Sequence, residues 1–253
     1  MECKFASDYP EKGVKVTKLS ELHGKNWKKM RNQWGDYRML DFALTEPFKL
    51  FSRDSADELR KITEVQIGSH YEYSTARTSC CVRGCPELVN ALTAESCRTK
   101  LERIASAFAG ARMKMLPVTY ETSHVNVQLE PQDKPVDNRH QDSTPFVLVT
   151  ILTEHSNDPG GHLLVKRGEN AKEYRCKLKT PGEAIFMQGE FGELFLCVSC
   201  CQGLALDYSW RIGLHKCTCP HVHRISRTRL AHLALRTAKR DRQTPDHGDF
   251  ILC

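Results

Sequence analysis

At 253 residues the chain is of a size that one sizeable core can organise, and its 40% apolar and 27% charged residues match neither a disordered nor a fibrous protein. The net charge of +6 is mild for this length, and no apolar run approaches the roughly 18 residues that a membrane-spanning helix needs. The amino-terminal MECKFASDYPEKGVKV lacks the uninterrupted apolar segment of a secretory signal, so the expectation is a cytoplasmic location with no membrane partner.

In chain order, the first third reads as polar and helical. Ser55 or Asp54 can cap a helix over ADELRKITEVQI, whose Leu59, Ile62 and Ile67 recur at roughly helical spacing. HYEYSTARTSCCVRGCP then reads as a surface loop. A second helix is expected over PELVNALTAESCRTKLERIASAFAG, where Leu88, Leu92, Leu101, Ile104, Ala105 and Phe108 recur at three- and four-residue steps and Gly110 offers a stop.

From Met113 the texture changes to short apolar or alternating runs broken by Pro, Gly, Asn and Asp, the pattern of a β-barrel or sandwich. The expected strands are KMLPVTYE, HVNVQLE, PFVLVTILT, HLLVKRG, YRCKLKT, GEAIFMQG and RLAHLALRT, with turns at QDKPVDN, SNDPGG, GENAKE and TPGE. Helices first and strands after predict an α+β arrangement: a helical support over 1–112, a β core over 113–238 and a carboxy-terminal tail over 239–253.

Twelve cysteines do not make a disulfide scaffold of a chain this large, and reduced thiols are expected. Cys3, Cys80, Cys81, Cys85, Cys97, Cys176 and Cys253 are scattered, whereas Cys197, Cys200, Cys201, Cys217 and Cys219 crowd together. The basic stretch from Arg224 to Arg242 carries no interleaved aromatics, which favours a solvated surface over a nucleic-acid contact.

The residues that bear chemistry lie in NRHQDSTPFVLVTILT. His140 and Asp142 stand two positions apart, just before a strand whose near-continuous apolar character implies burial on both faces. In extended chain alternate side chains share a face, so one imidazole and one carboxylate can hold a metal from a single strand edge. Two histidines and one carboxylate on one face of Fe(II) leave three positions for a bidentate cosubstrate and dioxygen. His-x-Asp alone is a weak signal.

The run HQDSTPFVLVTILTEHSNDPGGHLLV, then TPGEAIFMQG, then HVHRISRTRLAHLALR resembles the 2-oxoglutarate/Fe(II) dioxygenase superfamily over about residues 113 to 238. The resemblance implies a double-stranded β-helix (jelly-roll) core buttressed by the amino-terminal helices. It also implies His140, Asp142 and a distal histidine as iron ligands, and an arginine opening the last strand that grips the far carboxylate of 2-oxoglutarate. His221 is the expected distal ligand, with His215 and His223 as alternatives; Arg229 is the expected anchor, with Arg224 as its competitor. Gly160-Gly161 and Pro181-Gly182 fit the family's turns but equally serve any tight turn. The implied activity is oxidation of a C–H bond with 2-oxoglutarate and dioxygen as cosubstrates, and the carboxylate of Asp142 favours hydroxylation, desaturation or ring closure over halogenation. A small-molecule or amino-acid-type substrate is expected ahead of a protein, and nucleic acid is not expected.

The sequence departs from this pattern where EFGELFLCVSCCQGLALDYSWRIGLHKCTCP follows MQG, because the family brings its distal histidine within a handful of residues of that point. Setting aside residues 195 to 220 as an insertion makes His221 fall in place. The insertion reads as a loop over the site, as a zinc knuckle of Cys197, Cys200, Cys217 and Cys219, or as a translated intron. Two other functions compete: a cupin-like binding domain without catalysis, and a zinc-dependent nucleic-acid-binding protein using the cysteines and the basic tail.

Overall fold

The computed structural model describes residues 4–6, 13–23, 40–74, 80–117, 119–128, 144–157, 162–166, 174–189, 193–195 and 205–214. Its contacts divide the chain into 1–215 and 216–253, and every described residue belongs to the first unit.

Thirteen strands are present among these residues. In chain order they are β1 (Val16–Thr17), β2 (Leu44–Thr45), β3 (Phe48–Lys49), β4 (Glu72–Tyr73), β5 (Cys81–Arg83), β6 (Met113–Met115), β7 (Ser123–Gln128), β8 (Phe146–Ile151), β9 (His162–Lys166), β10 (Tyr174–Lys177), β11 (Glu183–Gln188), β12 (Glu193–Phe195) and β13 (Ala205–Leu214). Ten form one antiparallel sheet in the order β1-β2-β11-β8-β13-β7-β5-β4, with β3 also on β11 and β6 on β13. The other three form a second sheet, β10-β9-β12. The helices are α1 (Leu19–His23), α2 (Arg53–Gln66), α3 (Pro86–Thr93), α4 (Glu95–Ala109) and α5 (Thr119–Thr122).

Strand β8 shows why the layers form. All six of its residues are buried, and successive side chains alternate between two clusters. Phe146 and Leu148 join Ala184 and Phe186 of β11 and Val125 and Val127 of β7 against Leu59, Leu88, Leu92, Leu101 and Ile104 of the helices. Val147 and Val149 join Ile185 and Met187 of β11 with Leu163 of β9 and Cys176 of β10. The large sheet is thus covered by helices on one face and by the small sheet on the other. An apolar run without alternation is what a strand with two buried faces requires.

The helices differ from expectation in detail. The cap of α2 is Ser52, whose side chain accepts from the Ser55 backbone N–H. The single helix expected over 86–110 is two helices, broken at Ala94, whose φ of −48° and ψ of 134° are extended. The five-residue step from Leu92 to Cys97 shifts the apolar stripe out of helical phase, and the break returns Cys97, Leu101 and Ile104 to the core face. Gly110 ends the second helix in the left-handed conformation at φ 67°, as expected for a stop.

Three further expectations are corrected. The loop expected over 70–86 contains β4 and β5 at one edge of the large sheet, and Cys80, Cys81 and Cys85 are buried. The polar helical first third also contributes β1, β2 and β3. The strand expected over KMLPVTYE is only β6, because Pro117 offers no N–H to a ladder and the chain turns into α5 before β7 begins. The remaining strands from HVNVQLE to GEAIFMQG form where the alternation placed them, whereas RLAHLALRT lies outside the described residues.

The TPGE turn is built as its residues dictate. Gly182 has φ 83°, Glu183 N–H donates to Thr180 C=O at 3.0 Å, and a Cβ on Gly182 would meet the Phe51 carbonyl oxygen at 2.4 Å. Burial pulls the Glu183 carboxyl upward, but the Lys179 N–H, the Thr180 hydroxyl, Lys49 and the Thr180 N–H together hold it below its ordinary value of 4.5. A lowered folded value means that the charge stabilises the fold above the unfolded carboxylate range, and that this contribution is lost as pH falls through the folded value. Glu183→Gln is therefore expected to cost about 1–2 kcal/mol at pH 7, from weakened charge-assisted bonds. Urea unfolding should show the gap between wild type and variant closing in acid; a gap independent of pH would show that the charge contributes nothing.

Candidate functional site

Strands β8 and β7 both pair with β13, antiparallel, so they run parallel to each other with β13 between them. At one end of this trio lie the start of β8, the end of β11 and the end of β13. Phe146 pairs with Gln188 and with Ile212, and the Gly189 N–H donates to the Pro145 carbonyl at 3.0 Å. Thr144, two residues after Asp142, is buried at this end, and its hydroxyl has no hydrogen-bond partner among the described residues. Unpaired buried hydroxyls are costly, and such groups are commonly found where a ligand or ion completes the bonding.

His140, Asp142, His215, His221, His223, Arg224 and Arg229 all lie outside the described residues, as do the crowded cysteines from Cys197 to Cys219 and the Gly160-Gly161 turn. The sequence pattern expects residues 195 to 220 to be an insertion without a strand and RLAHLALRT to be the last strand of the core. Residues 205 to 214 instead form β13, paired from Ala205 with Gln128 to Trp210 with Ser123 on one side and from Asp207 with Ile151 to Ile212 with Phe146 on the other. A strand has two edges, and both edges of β13 are taken, so a later strand has no place between β7 and β8. An apolar run hidden by mixed composition was read as an insertion because ALDYSWRIGL shows little alternation.

The face of the large sheet turned to the small sheet is not uniformly apolar. On β7, Val125 and Val127 face the helices, which places the alternate residues His124 and Asn126, both buried, on the opposite face. The register aligns His124 with Ser209 and Ser209 with Val149 of the inter-sheet cluster. Arg83 of β5 pairs with His124, and its Nη2 lies 3.5 Å from His124 Nδ1. A guanidinium can only donate, so Nδ1 is the acceptor in this contact. The guanidinium also lies over the Tyr120 ring, 5.1 Å from its centroid. The polar-apolar alternation of HVNVQ is the sequence signal for His124 and Asn126 on one face, whereas no local pattern singles out Arg83. Together they put a guanidinium, an imidazole and a carboxamide side by side on the part of the β5–β7 surface that faces away from the helices.

His155 is buried, with its Nε2 2.9 Å from the Thr153 hydroxyl, and its backbone N–H donates to the Lys179 carbonyl. Among the described residues no group of three or more His, Cys, Asp or Glu side chains could hold a metal. Burial pushes the Cys176 thiol up to about 12, so it stays protonated at neutral pH. Among the described residues, no helix is long and apolar enough to cross a membrane.

No family model matches the chain, and no curated protein is similar to it. Solved structures are. The chain is similar in fold to the non-heme α-ketoglutarate-dependent epimerase SnoN from nogalamycin biosynthesis, at 11% identity and a TM-score of 0.50, over 74% of this chain and 83% of that one. Also similar are a prolyl 4-hydroxylase from Phytophthora capsici, at 14% identity and a TM-score of 0.48 over 94% of this chain and 80% of that one, and a 2OG-Fe(II) oxygenase family protein from Burkholderia pseudomallei, at 14% identity and a TM-score of 0.45 over 62% and 78%. At such identities the likeness is one of fold, and the fold is the mixed helix-and-sheet arrangement described above.

Proposed function

We propose that this chain is an Fe(II)- and 2-oxoglutarate-dependent oxygenase whose metal is held by His140 and Asp142 at the mouth between the two sheets, in a double-stranded β-helix core. The observation that carries the reading is the position of β8. His-x-Asp leads directly into a strand that is buried on both faces in the middle of the large sheet, and Asp142 is two residues from the buried Thr144. Two residues of extended chain reach about 7 Å at most, which supports a position for Asp142 near this end of the sheet. The similarity of fold to an α-ketoglutarate-dependent epimerase supports the same reading.

The donors suit the group: a carboxylate and an imidazole are ordinary ligands of non-heme iron. When bound, iron with 2-oxoglutarate supplies dioxygen activation for oxidation of a C–H bond. The chain's own residues hold and screen that centre. Asp142 contributes the negative charge that a divalent ion needs, and the apolar row Val147, Val149, Ile185 and Met187 excludes water behind it. A histidine from the chain after β13 completes the ligand set, His221 being the one expected from the sequence pattern. Arg229 is proposed to hold the far carboxylate of the cosubstrate. The substrate is proposed to be a small molecule or amino-acid-type compound.

The direct test is iron-dependent conversion of 2-oxoglutarate to succinate by the purified chain. A cupin-like binding domain would show none. Arg229→Ala is expected to raise the apparent Michaelis constant for 2-oxoglutarate about tenfold or more with little change in metal affinity, since charge-assisted bonds contribute roughly 1.5–3 kcal/mol each. The one basic residue of β13 is Arg211, in register with Val147 of the inter-sheet cluster. If Arg211→Ala shows this defect and Arg229→Ala does not, the anchor is on β13.

A further inference from the structure

The face of the large sheet that carries Val147 and Val149 runs on across β13 to β7, β5 and β4, and its chemistry changes on the way. Arg83 pairs with His124, His124 with Ser209 and Ser209 with Val149, while Tyr73 pairs with Cys81 and Cys81 with Asn126. Residues paired directly across strands share a face. Val82, Val125 and Val127 take the helix side, and Glu72, the one acidic residue of β4, β5 and β7, pairs with Val82 and goes with them. The other side therefore carries Tyr73, Cys81, Arg83, His124 and Asn126.

This side is buried at His124 and Asn126 and reaches solvent at Tyr73, 39% exposed, and Tyr120, 42% exposed. The two tyrosine rings meet edge to face with centroids 5.8 Å apart. Arg83, itself only partly buried, joins the two ends: its guanidinium lies 5.1 Å from the Tyr120 centroid and its Nη2 3.5 Å from His124 Nδ1. The Tyr120 ring rests against Gly84, where a Cβ would meet its Cδ2 at 3.1 Å, so the residue after β5 leaves room for the ring in this place. A fixed cation thus stands beside two exposed aromatic rings. We propose that Arg83, Tyr73 and Tyr120 form a binding site for a small molecule that carries an oxyanion, carboxylate or phosphate, on a flat ring. The guanidinium fork matches either oxyanion, the tyrosines pack against the ring, and His124 holds the guanidinium from behind. Arg83 is three strand spacings from Val149, about 14 Å at about 4.8 Å each. On the oxygenase reading the site grips the anionic far end of an extended substrate; that assignment rests on the reading, and the binding site itself does not.

The experiment titrates the full-length protein, without metal, with phenyl phosphate and with benzoate by calorimetry, and with inorganic phosphate and acetate as their ringless counterparts. One of the two ring compounds should bind at least about threefold more tightly than its counterpart, from packing on the tyrosines. Arg83→Gln should weaken that binding about tenfold or more, since the bonds lost are charge-assisted, and Tyr120→Leu about threefold. Arg53→Gln, which removes a surface arginine paired with Glu154, should leave it unchanged. If Arg83→Gln fails to fold, Arg83→Lys keeps the charge without the fork and should bind more weakly than wild type. No binding of either ring compound, affinity equal to that of the ringless ions, affinity unchanged in the Arg83 variants, or an equal loss in Arg53→Gln would each overturn the site. Succinate formation with Fe(II), 2-oxoglutarate and dioxygen is measured alongside. Binding without succinate formation leaves the site standing and removes the oxygenase reading, whereas succinate formation without binding overturns the site alone.

Discussion

Deleting residues 195–220 is expected to leave a chain that does not fold, with loss of the cooperative urea transition and of near-ultraviolet circular dichroism. The deleted stretch contains β13, which is paired along its length with β7 and β8 and at its end with β6. Without it the buried strands β7 and β8 lose their shared partner. Each buried N–H or C=O left without a bond costs about 1–3 kcal/mol, and several such groups together match the roughly 5–15 kcal/mol by which whole domains are stable. Val147, Val149 and Phe146 would also lose the strand that holds them between the helices and the small sheet. The sequence pattern alone predicts the reverse, since joining Leu194 to His221 restores a shorter spacing and removes nothing that looks like a strand. A soluble, cooperatively unfolding deletion product would show that β13 is dispensable and that the insertion reading was right.

What could be read from the sequence was whatever local periodicity encodes. β8 and β11 were legible because FVLVTI and EAIFMQ are short apolar runs between turn residues, and the Thr180–Glu183 turn because proline and glycine stand where the backbone needs them. β13 was not legible. A central strand is defined by its partners, and ALDYSWRIGL, with a charge at Asp207 and another at Arg211, carries neither a continuous apolar run nor clean alternation. The two-residue strands β1, β2, β3 and β4 are too short to show any period; β2, β3 and β4 form on the open edges of longer strands, and β1 forms on β2. Of the site, the sequence made the His-x-Asp pair legible through its position before β8, whereas the Arg83–His124 pair joins two strands far apart in the chain and needed the register to be seen.

Asp142→Ala is expected to abolish metal-dependent conversion of 2-oxoglutarate to succinate and to remove high-affinity Mn(II) binding, with the fold intact. Asp142 is the one carboxylate of the proposed ligand set, and without it a divalent ion would be held by neutral imidazoles, which bind a hard cation poorly and leave its charge uncompensated in a mouth backed by Val147, Val149, Ile185 and Met187. The residue itself precedes β8, whose pairing begins at Phe146, so its loss should not reach the core. The thermal midpoint without metal should therefore match wild type to within a few degrees, while the rise in midpoint that Mn(II) gives wild type should vanish, because a ligand stabilises only the state it binds. Asparagine at this position keeps the shape and one oxygen donor but not the charge, and should fall between the two in Mn(II) affinity. Turnover in Asp142→Ala equal to wild type would remove the metal from His140 and Asp142, and with it the oxygenase reading of this chain.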